Sequence, residues 1–382
     1  MDSDQPKRLY YLDWLRVLAI LGVFLFHAVH PFDLVDWHIK NGDKSMLVTV
    51  VLIMVFPWAM PVFFFISGAG SWFSLQRRTG YRFAIERVQR LFVPFIVGSI
   101  LLSPFQIYLE WIHKGKHSGT FLEFLPSFWQ HITDPTILLS PSIFGRWGIH
   151  LWFLGFLFAF SVIAIPFFQW LKGERGQRFL SYLEALLQKK GGMLLFILPL
   201  FAIKLIFHPI PGQHGWAEFL YMFTFFVAGY IFYTKQVYME IIHRDRNIFL
   251  CGGIFGVVIG IVTAVYGNPQ QAISQPGSVE FYAIWLAFVL MSWCWAIYVV
   301  YLGSCYLNYS TPLLSYGQKI INPFYLLHQP VILFVAFYVV QLQLNLYLKL
   351  VIVVTTSFII CLSLLEGLIL RIKPLRVLLG MK

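Results

Sequence analysis

Two groups that are costly in an apolar setting, Arg16 and His27, lie in one hydrophobic stretch reading WLRVLAILGVFLFHAVHPF. Eleven helical steps separate them, about 16 Å at ~1.5 Å per residue, and ~3.6 residues per turn returns both to one face. Against a hydrocarbon core of ~30 Å, this spacing sets one group deep in one leaflet and the other deep in the opposite leaflet. An arginine there costs roughly 2.5–3.5 kcal/mol on insertion scales, so a lipid-facing position is disfavoured. Histidine is the side chain most readily poised to move a proton near neutral pH. Together they point to chemistry that crosses the membrane midplane.

Plainer readings stand beside this one. A lone histidine in such a stretch is more often a buried residue bonded to a neighbour; Arg16 on the same face and His30 one turn on weigh against that. His27 and His30 also have the i, i+3 spacing of two metal ligands, but no third is evident nearby and no metal is expected. Asp13 precedes Arg16 by three residues and can pair with it on the same face. A structural Asp13–Arg16 bridge and a ligand-facing Arg16 both remain open.

Further along, QRRTGYRFAIERVQRLFVPF carries Arg77, Arg78, Arg82, Arg87 and Arg90. These residues fit a purely topological role. Yet Arg87 and Arg90 lie one turn apart at the entry to a span, and paired guanidiniums grip phosphate bidentately. The stretch VFFFISGAGSW ends in small residues, Ser67, Gly68 and Gly70, a pattern usual in helix packing and also permissive for a thin ligand arm. His150 and Trp152 in HLWFLGFLF, Asn322 and His328 in INPFYLLHQP, and the acids Glu110, Glu218 and Glu280 complete the candidates. A histidine base is served by an orienting carboxylate, although acids at span ends are commonly just solvated.

The elements that must position these groups follow from composition. Of 382 residues 59% are hydrophobic and 12% charged, about half the charge of soluble domains, which excludes a soluble globular chain. The net charge of +11 resides in short loops, so it speaks to topology and anionic lipid rather than to nucleic acid. Cys251, Cys294, Cys305 and Cys361 fall in or beside apolar runs, with neither metal-ligand spacing nor a disulfide framework. The first apolar run lacks a small-residue cleavage site and reads as a retained signal anchor.

An all-α integral membrane protein of about ten transmembrane helices is expected, as a single domain over 1–382. The spans fall near 10–30, 47–73, 91–112, 148–170, 192–207, 215–234, 247–267, 279–303, 320–342 and 346–370. With an inside N-terminus, 20 of the 28 Lys and Arg lie on the inner side and 6 outside, which satisfies the positive-inside rule with both termini cytoplasmic. Arg16 then faces the cytoplasmic half and His27 the outer half. The outer loop near 113–147 is long enough for a small cap.

Taken in order, Arg16-x10-His27 after LDWLR, the FFFISG run, Arg87-Val-Gln-Arg90, HLWFL at 150–154 and Tyr325-Leu-Leu-His328 resemble the membrane acyltransferase family 3. The resemblance covers about residues 9–371 and is nearest to the glucan biosynthesis branch. It implies transfer of an acetyl or succinyl group from cytosolic acyl-CoA, a co-substrate rather than a bound cofactor, to an extracytoplasmic carbohydrate. His27 and Arg16 would be catalytic, and Arg87, Arg90, Arg82, Ser67 and Gly68 would contact acyl-CoA. Asp13, His150, Trp152, Tyr325, His328 and Glu218 would support them. The setting implied is a bacterial inner membrane, with homo-oligomerisation left open. No extracytoplasmic esterase-like domain is attached, unlike many relatives, so the chain is expected to act alone or with a soluble partner. A secondary transporter for a small anionic or lipid-linked solute is the main alternative, served by Arg16, Lys204 and a second span broken by Pro57 and Pro61; no repeat between halves supports it.

Overall fold

Lipid offers backbone groups no hydrogen-bond partners, so a spanning chain satisfies them internally. The computed structural model describes residues 8–133, 139–207, 214–268 and 275–381, and every regular element among them is a helix. Apart from two short helices, Ile165–Lys172 and Lys373–Leu378, these are in chain order α1 (Tyr10–Phe32), α2 (Met46–Arg77), α3 (Gly80–His113), α4 (Phe121–Ile132), α5 (Ser142–Ile163), α6 (Glu174–Leu187) and α7 (Gly192–Phe207). Then come α8 (Trp216–Phe232), α9 (Val237–Arg244), α10 (Arg246–Tyr266), α11 (Val279–Tyr306), α12 (Pro312–Val339) and α13 (Leu346–Ile369). Eight of them are long and apolar enough to cross a membrane, and the pairs α6/α7 and α8/α9 raise that to ten if each bent pair is one span.

The bends, 115° and 111°, lie outside the runs expected near 192–207 and 215–234, which α7 and α8 match, and join each of them to a further helix, α6 or α9. Gly191, with φ 73°, sits at the first corner in the left-handed region that glycine adopts without penalty. The spans expected at 91–112 and 320–342 also begin earlier. Thr79 and Thr311 cap α3 and α12 by accepting from the N–H groups of Arg82 and Leu314. Such caps start a helix upstream of the apolar run itself, through residues whose polarity hides them from a hydropathy reading. Inside the long 113–147 loop, α4 forms a small cap through a Thr120–Glu123 capping box, with Phe124 and Phe128 buried against Tyr108 and Trp111.

α1 lies at the centre, packed by α2, α11, α12 and α13. The two prolines of α2 show how an interrupted span survives. Pro61 has no N–H to give the carbonyl of Pro57, four residues back; Ser292 of α11 donates its hydroxyl to that oxygen at 2.6 Å instead. Where α2 crosses α8, the backbones nearly touch. A Cβ on Gly68 would lie 1.9 Å from the Phe226 carbonyl oxygen, and one on Gly229 would lie 1.9 Å from that of Phe65. This is the close approach that small residues permit in membranes. Gly229→Ala must force α8 away from α2, so the melting temperature of the detergent-solubilised protein is expected to fall by several degrees. An unchanged melting curve would remove this crossing from the account of stability.

Candidate active site

A cavity of about 1020 Å³ enters the bundle from the end that carries the arginine-rich turn, between α1, α2, α3, α5 and α12. Its mouth holds Arg8, Arg16, Arg77, Arg78, Arg87 and Arg90 against only two acids, Asp13 and Glu86. Within that excess, the pairing is uneven. Arg78 and Arg90 share Glu86, Arg90 at 3.2 Å. Arg87 stacks its guanidinium 4.5 Å from the Phe83 ring centroid and makes no ion pair among the described residues; its Nε is buried without a hydrogen-bond partner. A π-helical turn, Val88–Phe92, follows Arg87; such turns recur at functional sites because they re-aim side chains.

Arg8 donates to Asp13 Oδ2 at 3.1 and 2.9 Å and to Gln318 at 2.9 Å. Arg16 lies 3.9 Å from the other Asp13 oxygen, an ion pair too long for a good hydrogen bond. Arg16 thus pairs loosely with Asp13, which Arg8 holds more closely, and also lines the cavity. Ser67 lines the wall. Gly68 does not; it serves the α2–α8 crossing. Arg82 is exposed and outside the lining, so the sequence expectation of cavity contact fails for both residues. α3 turns Arg82 outward, and Arg77 and Arg78 from α2 are the lining residues instead.

The cavity narrows to an aromatic floor of Phe63, Phe153 and Tyr325, with Phe63 and Phe153 edge to face at 4.6 Å. One helical turn beyond this floor, three histidines from α1, α5 and α12 meet. His328 Nδ1 lies 2.5 Å from the Tyr325 carbonyl; a carbonyl only accepts, so this nitrogen carries the proton. In a neutral ring His328 Nε2 is then an acceptor, and it takes Nδ1–H of His27 at 2.9 Å. The other nitrogen of His27, Nε2, is left with a free lone pair. It has no hydrogen-bond partner among the described residues.

His150 closes the layer, its ring edge-on to His328 at 5.2 Å. Its position follows from two local devices. Pro330 deprives the Leu326 carbonyl of its helical donor, and His150 Nε2–H donates to that oxygen at 3.1 Å. Ile149, just before it, has φ 53° and ψ −112°, which for a β-branched residue is a strained conformation costing about 1–3 kcal/mol. That kink turns His150 inward where α5 would otherwise continue straight. Tyr325 donates its hydroxyl to the His150 carbonyl.

Other expected participants lie elsewhere. Trp152 stacks on His214 at 4.4 Å, and His214 pairs with Glu218 at 2.9 Å, so Glu218 does not orient His27. No carboxylate does: the ring partner of His27 is His328. Lys204 is buried in an aromatic box of Tyr221, Trp285 and Phe288, with Nζ 4.3–5.1 Å from the three centroids, away from the cavity lining.

Beyond the histidines, the loop between α1 and α2 was silent in the sequence reading. Trp37 lies nearly parallel to His27 at 6.1 Å, and His38 pairs with Glu110. Only the alternation of aromatic and charged residues in DLVDWHIK marked it.

A cationic cavity ending one turn below a buried histidine layer, in a multi-pass bundle, has the outline of a membrane-embedded group-transfer site. Residues 9–366 match the acyltransferase domain model of acyltransferase family 3, and the chain belongs to this family of membrane acyltransferases. Among curated proteins it is similar to the glucans biosynthesis protein C of Salmonella heidelberg (strain SL476). The two are 24% identical over 346 residues, covering 89% of this chain and 86% of that protein. The proteins of the same name from Salmonella schwarzengrund (strain CVM19633) and Salmonella agona (strain SL483) match to the same extent. No solved structure matches.

The loop over His27 is anchored by Asp33. Its carboxylate takes Lys40 Nζ at 2.6 Å and the Val35 N–H at 2.9 Å, and lies 2.5 Å from His30 Nδ1. Burial pushes the Asp33 carboxyl up, but its partners outweigh this and hold it below the usual value. Lys40 is drawn down by the same burial despite Asp33, so the net gain rests with the carboxylate. A depressed folded value means the contribution is complete above the unfolded pKa of ~3.9 and is lost as pH falls through the folded one. Asp33→Asn is expected to cost about 1–3 kcal/mol at pH 7 and to flatten the fall in melting temperature below about pH 4. Equal melting temperatures at pH 7 would show that the anchor contributes nothing.

Proposed function

We propose that this enzyme moves a small acyl group, acetyl or succinyl, from cytosolic acyl-CoA to an extracytoplasmic carbohydrate hydroxyl, with glucan as the acceptor class. The observation that carries this is the arginine-lined cavity ending directly beneath His27, His150 and His328. The phosphates of CoA suit Arg87, Arg90, Arg77 and Arg78, since guanidinium forks grip phosphate bidentately. A volume at the upper limit of usual small-molecule sites suits a donor of that size. The positive-inside count supports a cytoplasmic cavity mouth with both termini on that side, and the proposed setting is a bacterial inner membrane. The relatives' name, glucans biosynthesis protein C, supports a glucan acceptor.

In this reading the thioester arm runs past Ser67 and Arg16, and the acyl end passes the Phe63–Phe153–Tyr325 floor. His27 Nε2 takes the proton of a sugar hydroxyl as its oxygen attacks the thioester carbonyl. The carbon–sulfur bond then breaks, and the CoA thiolate leaves with the proton that His27 releases. His328 keeps the His27 proton on Nδ1, so that Nε2 is the nitrogen available; it is a positioning residue. Tyr325 and His328 already spend their N–H and O–H groups on carbonyls, which leaves neither free for the oxyanion. The transporter reading loses Lys204, which sits in its aromatic box instead of on a path.

Three substitutions test this in purified protein with radiolabelled acyl-CoA and a glucan oligosaccharide. His27→Ala should lower transfer by about 10²–10⁴-fold with CoA binding intact. Arg87→Ala should weaken CoA binding about tenfold, the 1.4 kcal/mol of one lost charge-assisted contact. His328→Phe should lower kcat with the donor KM unchanged. Near-normal transfer by His27→Ala would end the mechanism, and CoA binding indifferent to Arg87 would relocate the donor site.

A further inference from the structure

The loop between α1 and α2 has features that acyl transfer at His27 does not by itself require. It is folded back and fixed: the Asn41 N–H donates to the Pro31 carbonyl at 2.9 Å, and that of Ser45 to the Phe32 carbonyl at 2.7 Å. Lys40 also donates its N–H to His113 Nε2 at 3.2 Å. This holds Trp37, half-buried, with its ring 9° from parallel to His27 at 6.1 Å and 18° from parallel to His30 at 5.1 Å. Beside the indole stand His38, paired with Glu110, and Lys114, whose Nζ lies 3.0 Å from Glu110 and 3.4 Å from Asp36. Their side chains keep 16–25% of their surface open, Asp36 far more. Asp36, Trp37 and His38 lie past Phe32, where α1 ends, and Glu110 and Lys114 stand at the C-terminal end of α3.

We infer that Trp37, with the His38–Glu110 pair and Lys114, is the acceptor subsite, and that it takes a pyranose ring. A sugar presents an apolar face of C–H groups and a rim of hydroxyls. An aromatic plane with a polar edge matches the face, and a few placed polar groups fix the rim. Glu110 accepts from hydroxyls, and Lys114 donates to them. A sugar ring on Trp37 stands next to His27, whose Nε2 lone pair is free among the described residues. A lipid acceptor would need an apolar route, whereas this cluster is polar and lies beyond the end of α1. The inference rests on the acyl-transfer reading for its place in a reaction, but binding of the sugar does not.

The test separates the two. Full-length protein in nanodiscs is titrated with a glucose oligosaccharide in the absence of acyl-CoA, and in parallel assayed for transfer. Trp37→Ala should weaken oligosaccharide binding and raise the acceptor KM about tenfold, with CoA affinity within about twofold of the unmodified protein. Trp37→Phe, which keeps an aromatic plane and guards against a folding defect, should fall between. Glu110→Gln should raise the acceptor KM and leave CoA affinity unchanged. Oligosaccharide binding that Trp37→Ala abolishes supports the subsite even where transfer fails. Equal binding by Trp37→Ala and the unmodified protein, or no binding by the unmodified protein, overturns it.

Discussion

Inside a membrane a polar side chain keeps its place only where another group satisfies it, because no bulk water is there to do so. The hydrogen bond from His27 to His328 answers that demand, and much of the surrounding structure is arranged to direct it. The Tyr325 carbonyl decides which nitrogen of His328 holds the proton, and His328 then decides the same for His27. Pro330 supplies the orphan carbonyl that fixes His150, and the strained Ile149 delivers His150 to it. A one-turn displacement of α12 relative to α1 would leave three imidazoles unsatisfied at once. The enclosure of α12 follows from this constraint, as does the dense packing of α1 among four neighbours.

The other end of the bundle obeys electrostatics of a different kind. Six arginines around one mouth repel each other unless acids or ligand intervene, and two acids are present. Asp13 and Glu86 are used economically: each engages more than one arginine. Arg87 is stabilised instead by the Phe83 face, an interaction that keeps a cation soluble among aromatics without neutralising it. Six arginines against two acids leave the mouth cationic.

How much of this was legible in the sequence depends on the range of the interaction. Spans were legible because apolar length is a local property, and Arg16 and His27 because helical spacing is local too. The starts of α3 and α12 were missed by hydropathy, although Thr79 and Thr311 mark them, since capping residues are polar. Arg16 and Asp13 read as a pair at i, i+3 and lie 3.9 Å apart; the closer contact, from Arg8, could not be ranked from spacing, and Arg8 also reaches Gln318, 310 residues away. The search for a carboxylate partner to His27 failed because a histidine, 301 residues on, holds that position. Gly68 could be read two ways from its neighbours alone, and only the backbone of α8 chooses between them. Trp37 and His38 lie in a loop with no periodicity to expose a face.

That a histidine, rather than a carboxylate, orients His27 has a physical consequence. A carboxylate in this layer would have to be desolvated as a net charge, at a cost that its attraction to a neutral imidazole does not repay. A neutral histidine sets the same tautomer with no charge buried. It does less once His27 has taken a proton, because a neutral ring stabilises an imidazolium less than an acid does. Such a base suits a reaction in which the proton is not stored: it is received from a hydroxyl and handed on as the leaving thiolate departs. On the proposed mechanism, such a base suits a transfer in which attack and departure are close in time, with His27 receiving and releasing the proton within one step.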